Sequence, residues 1–512
     1  MISRIRGEMR EEPNTEELPA AESRFAGLSE VMTMAWPIML GAMSFVVMDF
    51  VDKIFVADLG EAHLAAAGSA GIWAYTLSVF LLGIAGCVST FASQSLGRGN
   101  KENVARYTWQ GIYISVFAVG MTFVVWLIAD PLFHAMGHAE DVTRYELEYF
   151  NIRILGFVFV TWQAALAAFF MSIGNPKIPM VASIVANVIN IVLDYALIFG
   201  KFGFPEMGIG GAALATVISI ALQVVLLQVV FMAPRFNDEY QTRSTTALDM
   251  TKLKELMNIG WPSGLSQFLD IAGWSVFTSF IVGGFGTAQL AAHTAAINFM
   301  HLSFVPAIAI NHAIAPIVGQ YIGKGNIAMA KSRAYTAMKV AMCIMFTVGV
   351  TIAIFGKPLI GIFSDDPQVI EMGAILLIFS ATFGLFDAVN IVMIGALRGA
   401  GDTRWMMYVM AIGAWVVSLP LASVFALDEL WGVRVGFGWG AKGAWFGITL
   451  YIIMLSGVFF HRFHGEKWRH INIFSGEVDA EQVDALDPSS DEAIVPPADT
   501  VKAQETGGIT SI

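Results

Sequence analysis

The stretch Asn187–Thr216, NVINIVLDYALIFGKFGFPEMGIGGAALAT, contains an apolar helical run with a carboxylate inside it. Asp194 lies well within that run, one helical turn after Asn190. A charged side chain at membrane depth costs roughly 2.5–3.5 kcal/mol on insertion scales, and more on an isolated helix. The sequence therefore predicts that Asp194 either binds something within the membrane or is neutralised by a partner.

Similar apolar runs recur along the whole chain of 512 residues, which is 56% hydrophobic and 14% charged, with a mean hydropathy of +0.65. Soluble domains average about 25% charged residues, and a run of about 18 apolar residues can cross a bilayer core. The short alternating segments of a transmembrane β-barrel are absent from the sequence. The composition predicts an all-α membrane protein with twelve transmembrane helices at 29–56, 63–92, 104–130, 147–172, 178–200, 209–233, 253–283, 289–319, 331–356, 369–397, 404–427 and 441–463.

The net charge of −12 lies mainly in the two polar ends of the chain. Residues 1–27 and 465–512 have little apolar surface to bury, so they are predicted to be disordered tails. No apolar signal region precedes the first span, and no cleaved signal peptide is expected. Acidic tails give no reason to expect a nucleic-acid partner.

Lysine and arginine are unevenly distributed between the two sets of turns, which predicts the orientation. One set contains thirteen and the other five, so the first set and both termini are predicted to be cytoplasmic in a multi-pass protein of the cell membrane, inner or plasma. The larger set is Arg98, Lys101, Arg106, Lys177, Arg235, Arg243, Lys252, Lys254, Lys324, Lys331, Arg333, Arg398 and Arg404, and the smaller set is Arg144, Lys201, Lys357, Arg434 and Lys442.

The chain also repeats itself at an almost constant offset. Six spans in each half give both halves the same direction through the membrane, so we expect two pseudo-symmetric six-helix bundles with a cleft between them. The predicted division is a lobe at 28–234, a cytoplasmic linker at 235–252 and a lobe at 253–464. The repeat is carried by Trp36-Pro37 and Trp261-Pro262, by SQSLGRGN (93–100) and GQYIGKGN (319–326), and by IGN (173–175) and AGD (400–402).

Five aspartates lie within the predicted spans: Asp49, Asp52, Asp194, Asp270 and Asp387. The repeat places uncharged residues opposite Asp52, Asp194, Asp270 and Asp387. Packing inherited by duplication would tend to retain matched residues, so this asymmetry favours a functional role over a structural one. Asp49 and Lys53 are four residues apart on one helical face, which favours their pairing and leaves Asp52 available.

Other chemistry finds little support in the sequence. The nucleotide-binding, nucleophile-elbow and zinc-protease motifs are missing, and the histidines lack metal-ligand spacing. We expect neither enzymatic activity nor a cofactor.

These residues resemble the multidrug and toxic compound extrusion (MATE) family of transporters over about 30–463, excluding both tails. The most specific piece is NIVLDYALIFGKFGFPEMGIGGAALAT at Asn190–Thr216. Supporting pieces are FVDKIFVADLG (50–60), AAHTAAIN (291–298), GALRGAGDT (395–403) and the SQSLGRGN and GQYIGKGN pair. The resemblance implies twelve helices in two six-helix lobes and ion-coupled export of mostly cationic, amphipathic compounds.

The resemblance also implies site residues. Asp52, Asn190, Asp194 and Thr216 match an amino-lobe cluster that binds a cation or proton. Asp270 and Asp387, with Asn390 beside the latter, match the carboxy-lobe positions for substrate or cation, with Na⁺ expected at Asp270 and Asp387. Two positions depart from the family pattern, because Gln163 replaces a frequent asparagine and Lys53 replaces a neutral residue.

A mechanism follows from charge alone. Carboxylates in a low-dielectric cleft attract an organic cation, and Na⁺ or H⁺ cancels that charge and displaces it. The predicted function is a secondary antiporter for small cationic compounds. The protein is expected to work as a monomer. A lipid-linked precursor flippase is the alternative, but its cavity would be lined by arginine and lysine, whereas the mid-membrane cations are few, chiefly Lys53. A major facilitator transporter would carry an acidic-basic loop motif after the second span, where this chain has SLGRGN.

Overall fold

The computed structural model describes residues 24–430, 433–434 and 436–474. Most of the two predicted tails therefore lies outside the described residues. Within the described part, twelve helical segments are long and apolar enough to cross a membrane. This confirms the predicted all-α membrane fold. The described residues from Arg24 to Ile473 belong to one compact unit.

The helices divide into two sets joined by a linker. The amino-terminal lobe consists of α1 (Arg24–Ala57), α2 (Glu61–Gly86), α3 (Val88–Gly97), α4 (Lys101–Ala135), α5 (Glu140–Arg153), α6 (Phe157–Ser172), α7 (Lys177–Ile198) and α8 (Gly208–Phe231). After the short α9 (Pro234–Tyr240), the carboxy-terminal lobe consists of α10 (Met250–Val276), α11 (Thr287–Gly323), α12 (Ile327–Ile354), α13 (Gly356–Ile360), α14 (Pro367–Ala400), α15 (Thr403–Ile412), α16 (Leu419–Ala426) and α17 (Gly440–His464). A hairpin of β1 (Glu429–Leu430) and β2 (Val433–Arg434) precedes α17.

Several spans contain irregular turns. A 3₁₀ turn at Ile154–Gly156 joins α5 to α6, and π-helical turns occur at Phe277–Val282 after α10 and at Gly413–Ser418 between α15 and α16. Such turns redirect side chains within a continuous span and are frequent at functional sites. They therefore mark the helices on which a site is to be sought.

The two copies of the repeated motif fold into the same turn. Gly99 and Gly325 have φ of 77° and 72°, a left-handed conformation that glycine adopts without steric cost. Asn100 and Asn326 then cap the next helices, each accepting a hydrogen bond from the amide three residues on, at 3.1 and 2.9 Å. The repeat seen in the sequence is therefore a repeat in structure.

The linker between the lobes runs along α4. Trp109 donates to the carbonyl of Thr242 at 2.8 Å, while Gln110 donates to the carbonyl of Ala247 at 3.2 Å and accepts from the amide of Asp249 at 3.1 Å. We call the end of the bundle where the linker lies, where α1 begins and α17 ends, the linker side. The predicted linker, 235–252, overlaps α10, which begins at Met250.

The predicted tail boundaries need correction. Helix α1 begins at Arg24, inside the predicted tail 1–27. At the other end, Lys467–His470 form a 3₁₀ helix inside the predicted tail 465–512, and Trp468 is buried with its ring stacked 5.0 Å from that of Phe463. A buried tryptophan supplies enough apolar contact to order this segment.

A largely buried ion pair lies on the linker side of the carboxy-terminal lobe. Arg462 Nε donates to Asp402 Oδ2 at 2.7 Å, and both side chains are largely buried. Burial raises the pKa of Asp402, and the hydrogen bond from Arg462 opposes that rise. Removing the arginine would leave a buried acid without its counter-ion.

We predict that Arg462→Gln lowers the stability by about 3–5 kcal/mol at neutral pH, the usual cost of breaking a buried pair. An acid whose pKa is raised in the folded state contributes stability at low pH and loses it as pH rises. The deficit should therefore shrink in acid, as measured by thermal unfolding in detergent at acidic and neutral pH. Asp402→Asn added to Arg462→Gln should recover most of the loss. An equal loss at both pH values would contradict the prediction.

Candidate functional site

Four predicted residues of the amino-terminal lobe meet in its interior. Asp52 lies on α1, Asn190 and Asp194 on α7, and Thr216 on α8. In the amide orientation that satisfies both of its polar atoms, Asn190 Nδ2 donates to Asp194 Oδ2 and Asp52 Oδ1, both at 3.2 Å. Its oxygen accepts from the backbone amide of Thr216 at 3.3 Å. One amide thus holds two carboxyl groups together.

Thr216 contributes to this cluster through its backbone. Its hydroxyl donates instead to the carbonyl of Ala212 on its own helix, at 3.0 Å. This is the usual bond of a threonine inside a helix. The sequence-based assignment of Thr216 to the cluster therefore depends on its N–H group.

The amino-lobe cluster has capacity left for a ligand. Asp194 is fully buried, and its Oδ1 has no hydrogen-bond partner among the described residues. The carboxyl groups of Asp52 and Asp194 are within hydrogen-bonding reach of each other. Two such groups repel each other when both are charged, and a shared proton or a bound cation removes the repulsion. The cluster is chemically suited to hold either.

Asp49 and Lys53 are paired, as the sequence analysis favoured. Lys53 Nζ lies 2.7 Å from Asp49 Oδ2, and the side chains are 61% and 47% exposed. Asp52 is left to face the interior of the lobe. Lys53 is therefore an exposed cation paired with Asp49, and it also acts electrostatically on Asp52.

A cation that the sequence analysis missed lies near the acid pair. Arg153, the last residue of α5, is close enough to Asp52 and Asp194 to act on both electrostatically, and it hydrogen-bonds to Tyr149. The 3₁₀ turn at Ile154–Gly156 follows it directly. A fixed guanidinium beside two carboxyl groups lowers the net negative charge available to an incoming cation.

The carboxy-terminal lobe holds a second acidic site. Asp270 lies on α10, and Asp387 and Asn390 lie on α14, where Asn390 Nδ2 donates to Asp387 Oδ1 at 3.2 Å. Tyr451 of α17, which the sequence analysis did not identify, lies within electrostatic range of both aspartates. Both aspartates are only partly buried, so protein does not enclose their carboxyl groups on every side.

The donor atoms of this second site suit a small hard cation. Asn390 Oδ1 and Tyr451 Oη are buried and have no hydrogen-bond partner among the described residues. Together with two carboxylates they form a set of oxygen atoms, the ligand type that hard cations prefer. Clusters of three or more His, Cys, Asp or Glu are not found in the described part of the chain. A Na⁺ ion here would therefore also use neutral oxygens.

The π-helical turn at Gly413–Ser418 lies against this second site. Trp415, in the turn between α15 and α16, donates to the carbonyl of Leu269 at 3.3 Å, directly before Asp270. A Cβ on Gly413 would lie 2.7 Å from Tyr451 Oη, so only glycine leaves room for the phenol. Across the cleft, Tyr75 of α2 lies within electrostatic range of Asp270. The site thus faces the opposite lobe.

Arg398 requires a correction to the sequence analysis, which placed it in a cytoplasmic turn and named Lys53 as the chief mid-membrane cation. Arg398 is buried within α14, and its Nη2 donates to Asn311 Oδ1 at 3.3 Å. Its backbone carbonyl accepts from Thr90 of the other lobe at 2.8 Å. The residue therefore belongs to the contact between the lobes.

In the described part of the chain, twelve helices that can span a membrane form two lobes, and each lobe has aspartates within its apolar helices. This is the architecture of a multi-pass membrane transporter. The family profile described as MatE matches residues 37–196 and 262–424 of this chain. The two matched segments cover more than half of the sequence and correspond to the two lobes. The chain belongs to the MatE family of transporters, as the sequence resemblance indicated.

Proteins that are similar to this chain in sequence or in structure support this assignment. The chain is 28% identical over 450 residues to a probable multidrug resistance protein NorM of Thermotoga maritima, covering 88% of this chain and 94% of that protein. It is 28% identical over 412 residues to the NorM protein of Chromobacterium violaceum, covering 80% and 88%. Among solved structures, a Vibrio cholerae MATE transporter superposes with a TM-score of 0.76 at 21% identity, covering 89% of this chain and all of the other. An outward-facing multidrug resistance MATE transporter gives 0.77 at 20% identity, covering 86% and 96%.

We predict that Arg153→Gln increases the affinity of the amino-lobe cluster for a monovalent cation roughly 5- to 50-fold, because one neighbouring positive charge is removed. Arg153→Lys, which keeps the charge, should stay within about threefold of the parent chain. Sodium titration of the purified protein by calorimetry measures this, in an Asp270→Asn/Asp387→Asn background that silences the second site. Equal affinities for the Gln and Lys variants would contradict the prediction.

Proposed function

We propose that this chain is a secondary antiporter that exports cationic, amphipathic organic compounds in exchange for Na⁺ or H⁺. The observation that carries the proposal is the second acidic site, where Asp270 and Asp387 lie inside the bundle but are only partly buried. Beside them, Asn390 Oδ1 and Tyr451 Oη are without partners among the described residues. Such a set of oxygens attracts positive charge and does not distinguish strongly between an organic cation and an ion.

Exchange follows from the charge balance of this site. With both aspartates ionised, the site favours an organic cation, whose apolar parts can pack on the aromatic side chains nearby, Trp415 and Tyr451. When Na⁺ or H⁺ binds, the net charge falls and the organic cation loses its attraction. An inward ion gradient would then drive release on the external side.

The amino-lobe cluster of Asp52, Asn190, Asp194 and Thr216 fits a different part in the same cycle. Asn190, Asp194 and Thr216 are buried, and Arg153 already supplies a positive charge near them. A small ion or a proton fits such a place, whereas a bulky organic cation does not. We propose that this cluster binds the coupling ion and that the carboxy-lobe site binds the exported compound, the ion, or each in turn.

The relatives support export as the direction of transport, since the NorM proteins are described as multidrug resistance proteins. We propose the corresponding arrangement here: a cell-membrane protein that works as a monomer, with lobes at 28–234 and 253–464. The linker side, which carries the Lys- and Arg-rich turns, would face the cytoplasm.

A flippase for lipid-linked precursors fits these sites less well. Its anionic headgroup would need cations that line the open cleft. Arg153 adjoins an acid pair, and Arg398 lies buried in the contact between the lobes. The partly exposed site is acidic, which favours positively charged cargo.

We predict that Asp387→Asn and Asp270→Asn each reduce the initial rate of organic-cation dye efflux roughly 10- to 100-fold, because each removes a charged contact to the cargo. Efflux is measured in cells with matched amounts of each variant in the membrane. Asp130→Asn is the control, since its carboxylate is exposed at the end of α4, and it should leave efflux unchanged. Wild-type efflux in both test variants would refute the assignment.

We predict that an imposed ion gradient drives dye uptake into vesicles in which the purified protein is reconstituted with its cytoplasmic side facing outward. Sodium and proton gradients are imposed separately, with the membrane potential clamped. Either one should accelerate transport, and Asp194→Asn should abolish the acceleration because the charge that holds the ion is lost. A rate of dye uptake that neither gradient changes would exclude an antiporter.

A further inference from the structure

Two glutamines form hydrogen bonds from one lobe to the other on the linker side. Gln94, on α3, donates from Nε2 to the carbonyl of Gly399 at 2.9 Å. Gln320, on α11, donates from Nε2 to the carbonyl of Ser172 at 2.6 Å. Both acceptors lie in the last turn of a helix, where backbone carbonyls lack intrahelical partners. Each lobe thus caps a helix end of the other.

The two bonds are related by the internal repeat. Gln320 lies 226 positions after Gln94, and Gly399 lies 227 positions after Ser172. These offsets match those of the three repeated motifs. The donors belong to SQSLGRGN and GQYIGKGN themselves, and the acceptors precede IGN and AGD. A contact that maps onto itself under a two-fold axis is isologous, so one bond implies the other.

Two glycines of the same motifs allow the lobes to approach this closely. A Cβ on Gly97 would lie 2.2 Å from the carbonyl oxygen of Gln320, and a Cβ on Gly323 would lie 2.2 Å from that of Gln94. Neither position can accept a side chain without moving the backbones apart. The glycines and glutamines therefore act on one seam, α3 against α11.

The strength of these bonds suits a contact that opens and closes. Gln94 is only 2% exposed, so its amide needs a partner while the seam is closed. When the seam opens, water replaces that partner, and the net cost of breaking an amide–carbonyl bond is small. A buried ion pair would resist opening much more strongly.

We propose that Gln94 and Gln320 are positioning residues that form a two-bond latch across the pseudo-two-fold axis, and that this latch sets the population of the state closed on the linker side. The proposal rests on the proposed function only in that an antiporter must alternate between two access states. Neither glutamine touches the two acidic sites. Their effect is on the equilibrium between states and not on cargo recognition.

Distances between two spin labels, measured by electron–electron double resonance, test the latch without requiring transport. Spin labels are attached at Lys177→Cys on α7 and Ala328→Cys on α12, both exposed on the linker side of different lobes. Cys343, which is exposed, is replaced by serine, and buried Cys87 is retained. The test variants are Gln94→Met and Gln320→Met, which keep the side-chain length and remove the amide that donates.

Each single variant should raise the ratio of long to short distances roughly 2- to 10-fold, and the double variant roughly 4- to 100-fold, the range expected for one and two hydrogen bonds. Gly97→Ala should shift the same ratio in the same direction through steric exclusion. Gln223→Met on α8 is the matched control, because Gln223 lies within one lobe. It should leave the distribution unchanged.

An unchanged distribution in the double methionine variant overturns the latch, as does an equal shift in the Gln223→Met control. The outcome is separable from the proposed antiport. Unchanged distances in the double methionine variant of a chain that exports dye would overturn the latch and leave the antiporter proposal intact. Shifted distances in a chain that transports no cation would support the latch alone. In a working exporter, the double variant should change the apparent KM for cytoplasmic dye more than Asp130→Asn does.

Discussion

A carboxylate inside an apolar bundle must be compensated, and the rest of this structure depends on how that is done. In the amino-terminal lobe, Asn190 bridges Asp52 and Asp194, with Arg153 nearby. The oxygen that remains without a partner there, Asp194 Oδ1, is fully buried. Compensation is nearly complete, and what is missing is small: one proton or one small ion.

The carboxy-terminal lobe solves the same problem differently. Asp270 and Asp387 are only partly buried, and their neutral neighbours Asn390 and Tyr451 have oxygens without hydrogen-bond partners among the described residues. Water or a cation can complete this site at little cost. The two lobes share one architecture, but the amino-lobe cluster contains a fully buried acid, Asp194, whereas both acids of the carboxy-lobe site are partly buried. This difference suits a small ion in the first site and a larger cargo in the second.

The sequence revealed the parts of this arrangement that break a local rule. An aspartate in an apolar run is conspicuous, so Asp194, Asp270 and Asp387 could be identified without coordinates. Tyr451 could not, because a tyrosine in an apolar helix is ordinary and only the tertiary packing of α17 brings it to the aspartates. The predicted location of Arg398 was wrong, because an arginine near a predicted helix end resembles a solvated turn residue.

Arg153 was missed for a related reason. It lies near the start of a long span, at the 3₁₀ turn that interrupts it, and a sequence pattern of helical period does not show such a turn. A continuous helix places side chains at regular angles, whereas the tighter turn changes the direction of the chain. The position of the guanidinium relative to Asp52 and Asp194 is thus a property of the fold.

The internal repeat distinguishes the contact between the lobes from the acidic sites. The motifs preserved in both halves, with Gln94 and Gln320 and the glycines Gly97 and Gly323, meet on the linker side in a symmetric contact. The acidic residues have no charged counterpart at the repeat offset. A symmetric contact can close two like lobes on each other, because both surfaces are the same. Binding two unlike ligands requires unlike sites, so the asymmetry of the acids and the symmetry of the seam serve different needs within one duplicated chain.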